Sequence, residues 1–437
     1  MQQQQKQNTG LVWFRNNLRT HDNTSLHKAI QNHDVIIAVY FFDPNLFKID
    51  EFGFQKTAKF RAKFLIETII DLQQNLVNKN ITLLTYFSTP ELKLVELCEA
   101  YSIKSIYTQK EWTQEEVDTN LAIKKTLPKT IDFIEDYDQF LFHPDSVSRN
   151  FKNIPNVFTE FRKKLEKYVD VRKEEVIDTL PTDNLIENNT KIPTLNDLGF
   201  NDIHVANKTA FPFKGGETEA LKRLNYYLFE SKKVGYYKET RNGLVGVDYS
   251  TKFSPWLANG SLSPKTIYWQ IKKFEKEIQK NQSTYWVIFE LIWRDYFKFI
   301  SLKYGNAIFK IGGILNRNYD WNSDKEIIQN WIDGKTKDDF VNANMIELKK
   351  TGWMSNRGRQ NVASYFAKEL LQDWRIGAAY FESVLLDYDV HSNYGNWMYV
   401  AGVGNDPRDR KFNPQLQAER YDGNHKFRNL WLQQTLF

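Results

Sequence analysis

The sequence predicts an α/β N-terminal domain with a Rossmann-like parallel sheet, followed by an all-α domain. Between residue 11 and about residue 136, short apolar runs alternate with amphipathic helical stretches, a pattern typical of parallel strands covered by helices on both faces. From Gly215 onward the chain shows helical periodicity, with glycine and proline where helices end and begin. Two domains also suit the length, because 437 residues exceed what one hydrophobic core usually organises.

The strand segments of the first domain are short and apolar. In order they are LVWF, VIIAVYFF, ITLLTYF, SIYT and IDFIE. The first is followed by W-F-R-N-N-L-R instead of G-x-G-x-x-G, which disfavours a dinucleotide bound in the usual Rossmann manner. We assign residues 8–138 to the α/β domain, 139–214 to an interdomain linker with a short helix near Arg162, and 215–437 to the all-α domain.

Composition excludes several classes of protein. The single cysteine, Cys98, excludes a disulfide framework and a Cys-based zinc site, and the seven histidines lack metal-like spacing, so we expect no metal. No segment reaches the roughly 20 apolar residues of a membrane span, and no secretory signal is visible. We therefore expect a cytoplasmic monomer without a membrane partner. A net charge of +5 permits a polyanionic partner without demanding one.

Tryptophans alternate with polar and charged residues between Gly352 and Trp397. The segments are W-M-S-N-R-G-R-Q, D-W-R and D-Y-D-V-H-S-N-Y-G-N-W. Arg and Asp are rarely buried unpaired, so this mixture indicates the wall of a pocket for a large aromatic cofactor. Arg359 needs a carboxylate if it is buried, and Asp387 is the natural candidate. A purely structural Arg–Asp pair in the core explains these two residues equally well.

Two further groups lie on predicted helices. Ser250, Thr251, Lys252 and Ser254 stand at a helix entry, where hydroxyls, an ammonium and the helix dipole suit a phosphate, although such residues more often only cap the helix. In F-E-L-I-W-R-D-Y-F, one helix face carries a carboxylate, an indole, a guanidinium and a ring, namely Glu290, Trp293, Arg294 and Phe297. An ordinary surface ion pair between Glu290 and Arg294 is the simpler alternative.

These segments, with others, resemble the photolyase/cryptochrome family, most closely its cryptochrome DASH branch. The resemblance extends from about Leu11 to Trp431. It is carried by seven motifs in the family's order: L-V-W-F-R-N-N-L-R-T-H-D-N, G-G-E-T-E-A-L-K-R-L, D-Y-S-T-K-F-S-P-W-L-A-N-G-S-L-S, F-E-L-I-W-R-D-Y-F, T-G-W-M-S-N-R-G-R-Q, D-W-R-I-G-A and G-N-D-P-R-D-R-K-F-N-P.

The resemblance implies that the helical domain binds FAD in a U shape. The residues implied at the ribityl chain and diphosphate are Tyr237, Ser250, Thr251, Lys252 and Ser254. Those implied above the flavin are Glu290 and Trp293, and those around the isoalloxazine and adenine are Asn356, Arg359, Asp387, Asp389 and Asn393, with Asn393 near the flavin N5. An electron-transfer relay is implied at Trp397, Trp374 and Trp321, in order from the flavin to the surface.

The implied reaction is light-driven repair of cyclobutane pyrimidine dimers by an electron from excited, reduced flavin. DASH proteins resemble enzymes that repair single strands and act poorly on duplex DNA. Glu290 is the expected hydrogen-bond donor to the flipped pyrimidines, with a pKa raised by seclusion beside Trp293. Tyr399 and Gln360 stand where repair photolyases usually carry tryptophan and methionine, which reduces stacking and apolar contact with the lesion.

The resemblance also implies an antenna contact, and it suggests candidate contacts with DNA. Gln114 and Glu115 match the place where the family often binds an antenna folate, 5,10-methenyltetrahydrofolate. Candidate DNA contacts are Arg294, Arg357, Arg408 and Arg410. Two alternatives to a DNA lyase stay open, a blue-light photoreceptor with little repair activity and a DNA-binding regulator in which FAD is structural.

Overall fold

The computed structural model describes residues 8–201, 203, 205–406 and 408–433. Its described residues include a five-stranded sheet in the order β3-β2-β1-β4-β5, in which every neighbouring pair is parallel. The strands are β1 (Thr9–Phe14), β2 (Val35–Phe41), β3 (Thr82–Tyr86), β4 (Ile103–Gln109) and β5 (Asp132–Asp136). They coincide with the five predicted apolar runs, which confirms the predicted parallel sheet.

Helices cover both faces of this sheet. Along β1, Leu11 and Trp13 belong to one apolar cluster and Val12 and Phe14 to another, as expected when successive side chains point to opposite faces. The Asn23 side chain accepts a hydrogen bond from Leu26 N at 2.9 Å and caps the first helix. The helices of this part are α1 (Thr24–Asn32), α2 (Lys59–Val77), α3 (Pro90–Ala100) and α4 (Gln114–Thr126).

After β5 the regular elements of the described chain are helices, which confirms the predicted all-α domain, while residues 171–201 are mostly irregular. The α-helices after β5 are α5 (Pro144–Asn150), α6 (Phe158–Tyr168), α7 (Glu217–Asn225), α8 (Tyr237–Thr240), α9 (Ser254–Ala258), α10 (Pro264–Glu277), α11 (Gln282–Tyr304), α12 (Lys325–Ile332), α13 (Asp339–Thr351), α14 (Asn356–Ser364), α15 (Trp374–Val384), α16 (Val390–Ala401), α17 (Pro414–Asp422) and α18 (Lys426–Leu432). Short π-helical turns extend α7 and α14, at Tyr226–Glu230 and Tyr365–Glu369.

The stretch predicted as a linker is integrated into both parts. The predicted helix near Arg162 is present as α6, and its Phe158 and Phe161 lie in the same apolar cluster as Tyr296 of α11. Further along, the Asn184 side chain bonds Ile36 N at 2.8 Å and Ile36 O at 3.0 Å, on β2. Long-range packing that local composition does not reveal therefore orders this stretch.

The helical part lies against the loop that follows β1. Leu18 N donates to Asn259 O at 3.2 Å, and the Arg19 guanidinium donates to Gly260 O at 2.9 Å. Gly260 has φ +73°, and a Cβ there would lie 1.9 Å from Asn16 O, so only glycine allows this close approach. The loop where a Rossmann fold would bind pyrophosphate is thus used for contact between the two parts.

Within the described stretches, no helix combines the length and apolar character needed to cross a membrane.

Candidate functional site

A buried ammonium lies at the centre of the helical part. Lys252 precedes α9 with φ +63° and is 1% exposed. Its Nζ lies 3.3 Å from the ring centroid of Tyr249 and 4.6 Å from that of Trp353, and it has no hydrogen-bond partner among the residues that the structure describes. Burial lowers the Lys252 pKa well below its ordinary value. An unpaired buried cation is costly, so this position favours an anionic ligand.

The neighbouring loop is shaped by an arginine that the sequence analysis missed. Arg223 of α7 donates to the carbonyls of Thr251 and Ser250 at 3.1 Å each, and it binds Asp248 Oδ1 at 2.7 Å. Ser250 and Thr251 stay half-buried, while Ser254 begins α9 and is exposed. Nothing in the local pattern around Arg223 distinguishes it from a solvated helix residue. The hydroxyl cluster is therefore held in place from a separate helix.

A second missed residue, Glu347 of α13, lies in the same interior. It is 1% exposed, and its Oε2 finds no hydrogen-bond partner in the described part of the chain. Burial raises the Glu347 pKa to about 8, against the opposing charges of Lys252 and Arg359. A carboxylate on the apolar face of a helix, three residues after Asn344, is the sequence signal that could have revealed it.

The ion pair predicted between Arg359 and Asp387 is present. Arg359 Nη2 lies 2.9 Å from Asp387 Oδ2, and Arg359 Nε donates to Met354 O at 3.0 Å. Asp387 is 8% exposed, and its Oδ1 is left without a partner among the described residues. The pair thus stabilises the start of α14 and still presents one free acceptor to the interior.

The other residues predicted around the cofactor differ in whether their polar atoms are already hydrogen-bonded within the protein. Asp389 caps α16 by accepting from Ser392 N at 2.8 Å and also binds Lys298 Nζ at 2.6 Å, so both carboxylate oxygens are engaged. Burial alone would raise the Asp389 pKa, but the Lys298 charge and other nearby charges hold it below its usual range. Asn393 Nδ2 donates to Ala378 O at 2.9 Å, and Asn356 is exposed at the first position of α14.

Glu290 is paired, but not with the residue one helical turn away. Arg241 Nη1 lies 2.5 Å from Glu290 Oε1, with the buried Tyr237 nearby. Burial raises the Glu290 pKa, while the Arg241 charge opposes the rise. The alternative of a Glu290–Arg294 surface pair is therefore wrong, because Glu290 bonds to a residue of a different element.

The guanidinium of Arg294 is hydrogen-bonded to backbone carbonyls of two other segments. Its Nη1 donates to Gln139 O at 2.5 Å and its Nη2 to Leu257 O at 2.9 Å. These bonds join α11 to α9 and to the segment after β5, so the guanidinium is committed to the interior. Burial also lowers the Arg294 pKa. The expectation that Arg294 contacts substrate or DNA stays a prediction, and in this structure its guanidinium is already bonded to two backbone carbonyls.

Aromatic rings form the wall beside Glu290. Trp293 stacks on Phe158 of α6, with ring centroids 3.6 Å apart and an interplanar angle of 9°. Tyr399 of α16 meets Trp293 edge-on at 5.9 Å. Phe158 was missed because it lies in the stretch assigned to the linker, where the composition gives little periodic signal.

Arginines bond to Tyr399 of this wall, to Glu290 beside it, and to Gln360 and Asn242. Arg357 Nη1 donates to Gln360 Oε1 at 2.8 Å, and Arg357 Nη2 to Asn242 Oδ1 at 3.1 Å. Arg410 Nη2 donates to the Tyr399 hydroxyl at 3.3 Å. Together with Arg241, which binds Glu290, these residues form what we call the basic rim, namely Arg241, Arg357 and Arg410. Arg408 is a separate exposed residue whose nearest carboxylate is Asp406, at 3.9 Å.

Comparison with known proteins identifies the arrangement. Residues 10–181 match the family model described as DNA photolyase, and residues 286–435 match the one described as the FAD binding domain of DNA photolyase. The chain is 45% identical to Cryptochrome DASH of Xenopus laevis over 426 residues, which cover 96% of this chain and 81% of the relative. It is 44% identical to Cryptochrome DASH of Synechocystis over 432 residues, covering 97% and 87%. The chain belongs to the cryptochrome DASH branch of the photolyase/cryptochrome family.

A solved structure supports the same assignment at the level of the fold. The crystal structure of Synechocystis cryptochrome superposes with a TM-score of 0.92 at 43% identity, covering 97% of this chain and 88% of that one. As the family model implies, the helical part of this DASH protein is an FAD-binding domain. Its interior suits such a ligand, because several buried polar atoms lack partners within the described residues: Lys252 Nζ, Asn344 Oδ1, Glu347 Oε2, Asn361 Oδ1, Asp387 Oδ1 and Trp397 Nε1.

The three tryptophans of the predicted DASH relay share one apolar cluster. Trp374, fully buried, donates to Ile311 O at 2.9 Å, and Trp321, half-buried, donates to Ala367 O at 3.2 Å. Trp397 lies against α15, which Trp374 begins, and a Cβ at Gly377 would come within 2.3 Å of the Trp397 ring. The glycine thus allows the inner indole to pack directly on the helix of the middle one.

The predicted antenna residues stand in the first turn of α4. Asn306 Nδ2, from the helical part, donates to Gln114 Oε1 at 2.6 Å, and Glu115 forms an ion pair with Lys56. Both predicted residues are exposed. Gln114 therefore lies at the contact between the α/β part and the helical part, which is where the resemblance places a folate.

Proposed function

We propose that this protein repairs cyclobutane pyrimidine dimers in DNA in a light-dependent reaction, with a preference for single strands. When bound, FAD supplies the absorption of light and, in its reduced form, the electron that cleaves the dimer. The observation that supports this most directly is the basic rim around the Trp293–Tyr399 wall. Guanidinium groups attract the phosphates that flank a lesion, and the aromatic wall offers stacking to an extruded pyrimidine pair.

Lys252 is the residue best placed to bind the cofactor's diphosphate. Its ammonium is buried and unpartnered within the described chain, so a phosphate oxygen there would provide the missing hydrogen bond. Asp387 would offer its free Oδ1 to a donor on the flavin or adenine, while its other oxygen stays with Arg359. Asp389 would have to share oxygens that already bind Lys298 and the α16 terminus.

Glu290 is the residue that we propose for hydrogen bonding to the extruded pyrimidines. A carboxyl group donates a hydrogen bond only when it is protonated, and burial raises the Glu290 pKa toward that state. The pair with Arg241 favours the ionised form. Substrate entry must therefore separate Glu290 from Arg241 or leave Arg241 to a DNA phosphate. Arg241 would then be the counter-ion of Glu290 in the absence of DNA and the counter-ion of a phosphate when DNA is bound.

The proposed preference for single strands follows from the modest size of the aromatic wall. Tyr399 and Gln360 offer less stacking and apolar contact than the tryptophan and methionine that the family resemblance leads one to expect there. Extraction of a dimer from duplex DNA costs pairing and stacking energy that a single strand does not demand. Weaker binding of the extruded dimer therefore lowers repair of duplex DNA more than repair of single strands.

A repair assay tests the proposal and separates it from the alternatives. Reduced holoprotein is illuminated with dimer-containing oligonucleotides, single-stranded and duplex, and the restored pyrimidines are counted. Turnover, faster on the single strand, supports the proposal. Flavin photoreduction without turnover supports a photoreceptor, and binding of DNA with neither response supports a regulator. Binding is also measured against salt concentration, since rim arginines that neutralise phosphates make the affinity fall as salt rises.

The folate antenna and the relay are further parts of the proposal. We propose that 5,10-methenyltetrahydrofolate binds beside Gln114 and Glu115, and that electrons reach the flavin site through Trp321, Trp374 and Trp397. Absorption and mass analysis of chromophores released from purified protein test the antenna. Replacement of Gln114 by Leu should lower folate content while FAD content stays unchanged, because Gln114 lies on α4 and not beside Lys252.

A further inference from the structure

The outermost tryptophan of the proposed relay has an aromatic neighbour that the relay does not include. Tyr319 lies beside Trp321, with ring centroids 5.0 Å apart and an interplanar angle of 35°. Both residues are half-buried. Asn322 N donates to Leu371 O at 2.7 Å and Trp321 Nε1 to Ala367 O at 3.2 Å, so the segment is anchored to the turn after α14. The two rings are therefore held close enough for direct electron transfer.

The phenol of Tyr319 has a built-in acceptor for its proton. Its hydroxyl donates to Asp409 Oδ2 at 3.0 Å. The other oxygen of Asp409 forms an ion pair with Lys368 Nζ. Burial alone would raise the Asp409 pKa, but hydrogen bonds from Lys368 and Tyr319 outweigh it, so the pKa lies below its usual range. Asp409 is thus a carboxylate at neutral pH and can accept a proton.

Lys368 also acts on the ring itself. Its Nζ lies 4.8 Å from the centroid of Tyr319. The face of a neutral aromatic ring attracts a cation, whereas a ring that has lost an electron and kept its proton would repel one at this distance. Electron loss from Tyr319 is therefore favourable only if the hydroxyl proton leaves at the same time. The neighbouring Asp409 provides the place for it.

We propose that Tyr319 is the terminal electron donor of the relay and that Asp409 is its proton acceptor. The inference rests on the proposed relay. One electron passes from Tyr319 to the oxidised Trp321, and the O–H proton passes to Asp409 Oδ2. This leaves neutral Trp321, a neutral tyrosyl radical and a protonated Asp409. A soluble one-electron reductant such as a thiolate then returns the electron and becomes a thiyl radical, and the proton on Asp409 goes back to the phenolate oxygen. Because the tyrosyl radical is neutral and Trp321 is restored, charge recombination becomes slow.

Electron paramagnetic resonance of illuminated, FAD-containing protein tests the proposal, with ring-deuterated tyrosine to identify the radical. Wild-type protein should give a tyrosyl signal that narrows on deuteration. Tyr319→Phe should lose it and show a shorter-lived tryptophanyl radical instead. Asp409→Asn should also lose the tyrosyl signal, and the infrared band of a newly protonated carboxyl should disappear.

Tyr394→Phe is the matched control. Tyr394 also adjoins a relay residue, with its ring 6.2 Å from that of Trp374, and its hydroxyl faces Glu382 Oε2 at 3.4 Å. The tyrosyl signal should survive in this variant. A signal that persists in Tyr319→Phe, or one lost only in Tyr394→Phe, would overturn the assignment. If wild-type protein gave no protein radical and Trp374→Phe left photoreduction unchanged, the proposed relay itself would be wrong. Repair by chemically reduced protein needs neither the relay nor Tyr319, so the repair assay tests the proposed function independently.

Discussion

Glu290 and Arg241 form an ion pair with 2.5 Å between Oε1 and Nη1, at the edge of the wall formed by Trp293 and Tyr399. The pair joins α11 to the residue directly after α8. Burial raises the Glu290 pKa and Arg241 opposes the rise, so the carboxyl is sensitive to what happens to the guanidinium. DNA phosphate that binds Arg241 would make Glu290 easier to protonate. Under the proposed function, the pair would therefore couple DNA binding to the hydrogen-bonding state of Glu290.

Replacement of Glu290 by Ala should keep FAD bound and lower the quantum yield of repair about fivefold, the equivalent of one hydrogen bond of ~1 kcal/mol. Glu290→Gln is the matched control, because an amide donates without titrating and should retain most of the yield. Flavin absorbance measures cofactor content, and dimer counts under limiting light measure the yield. An Ala variant with unchanged yield would remove Glu290 from this role.

Repair by wild-type protein should decline as pH rises through the raised pKa of Glu290, because only the protonated carboxyl donates a hydrogen bond. Arg241→Gln removes the charge that lowers this pKa, so the decline should move to higher pH. The Glu290→Gln variant should show a flat profile over the same interval. Initial repair rates across a pH series provide the measurement, and a wild-type profile that matches the Gln variant would contradict the expectation.

Replacement of Lys252 by Met should weaken FAD binding about 10- to 100-fold, since a charge-assisted hydrogen bond contributes roughly 1.5–3 kcal/mol. The same change should stabilise the FAD-free protein, because it removes a buried ammonium that finds no partner in the described residues. Thermal melting with and without added FAD reports both effects. Lower melting temperatures in both states would indicate a structural role for Lys252 only.

Replacement of Glu347 by Gln should stabilise the FAD-free protein at alkaline pH. The Glu347 pKa is about 8 in the fold and about 4.3 in an unfolded chain, so the folded state holds the proton more tightly. Stability of the wild type therefore falls as pH rises across this interval, and the variant escapes that loss. Its melting temperature should match that of the wild type at pH 5 and exceed it at pH 9, by on the order of a few degrees. If the melting temperatures of variant and wild type differed by the same amount at pH 5 and pH 9, the predicted titration of Glu347 would be refuted.

Trp374→Phe should slow flavin photoreduction without emptying the FAD site. Trp331→Phe is a close control, because Trp331 is equally buried, donates to Val362 O at 3.2 Å and lies in the same apolar cluster. Each substitution leaves one carbonyl without its indole donor, so comparable losses of stability are expected. Time-resolved absorption after a blue flash should therefore separate the two variants. The rate of flavin photoreduction should be low in Trp374→Phe and close to the wild-type rate in Trp331→Phe. Equal rates in the two variants would exclude a specific path through Trp374.

The sheet was predictable from sequence because each strand is a short apolar run buried on both faces, as β1 illustrates. The Arg359–Asp387 pair was predicted although its residues are 28 positions apart, because an arginine that is removed from solvent needs a carboxylate. Two other contacts between residues far apart in the chain were not predicted. Glu290 bonds a residue 49 positions away, and Phe158 reaches Trp293 from a stretch with little periodicity.

The local rule failed at Arg294 for a related reason. Pairs four residues apart on a helix attract each other, which favoured Glu290 as its partner. Two backbone carbonyls, of Gln139 and Leu257, are closer and otherwise need donors in the contact between the sheet part and the helical part. Tertiary packing decides whether Arg294 bonds to Glu290 or to these carbonyls, and helical periodicity carries no information about tertiary packing.

Arg19, 1% exposed, bonds Gly260 O at 2.9 Å and the Asp138 carboxylate at 2.9 Å, so one guanidinium serves both halves of the molecule. Separation of the halves would leave the Gly260 carbonyl without its guanidinium donor and would expose the Arg19–Asp138 ion pair to solvent. The halves are consequently ill suited to recombination as interchangeable modules. A transplanted flavin-binding half would fold against a foreign sheet only if that sheet offered an arginine in the same loop.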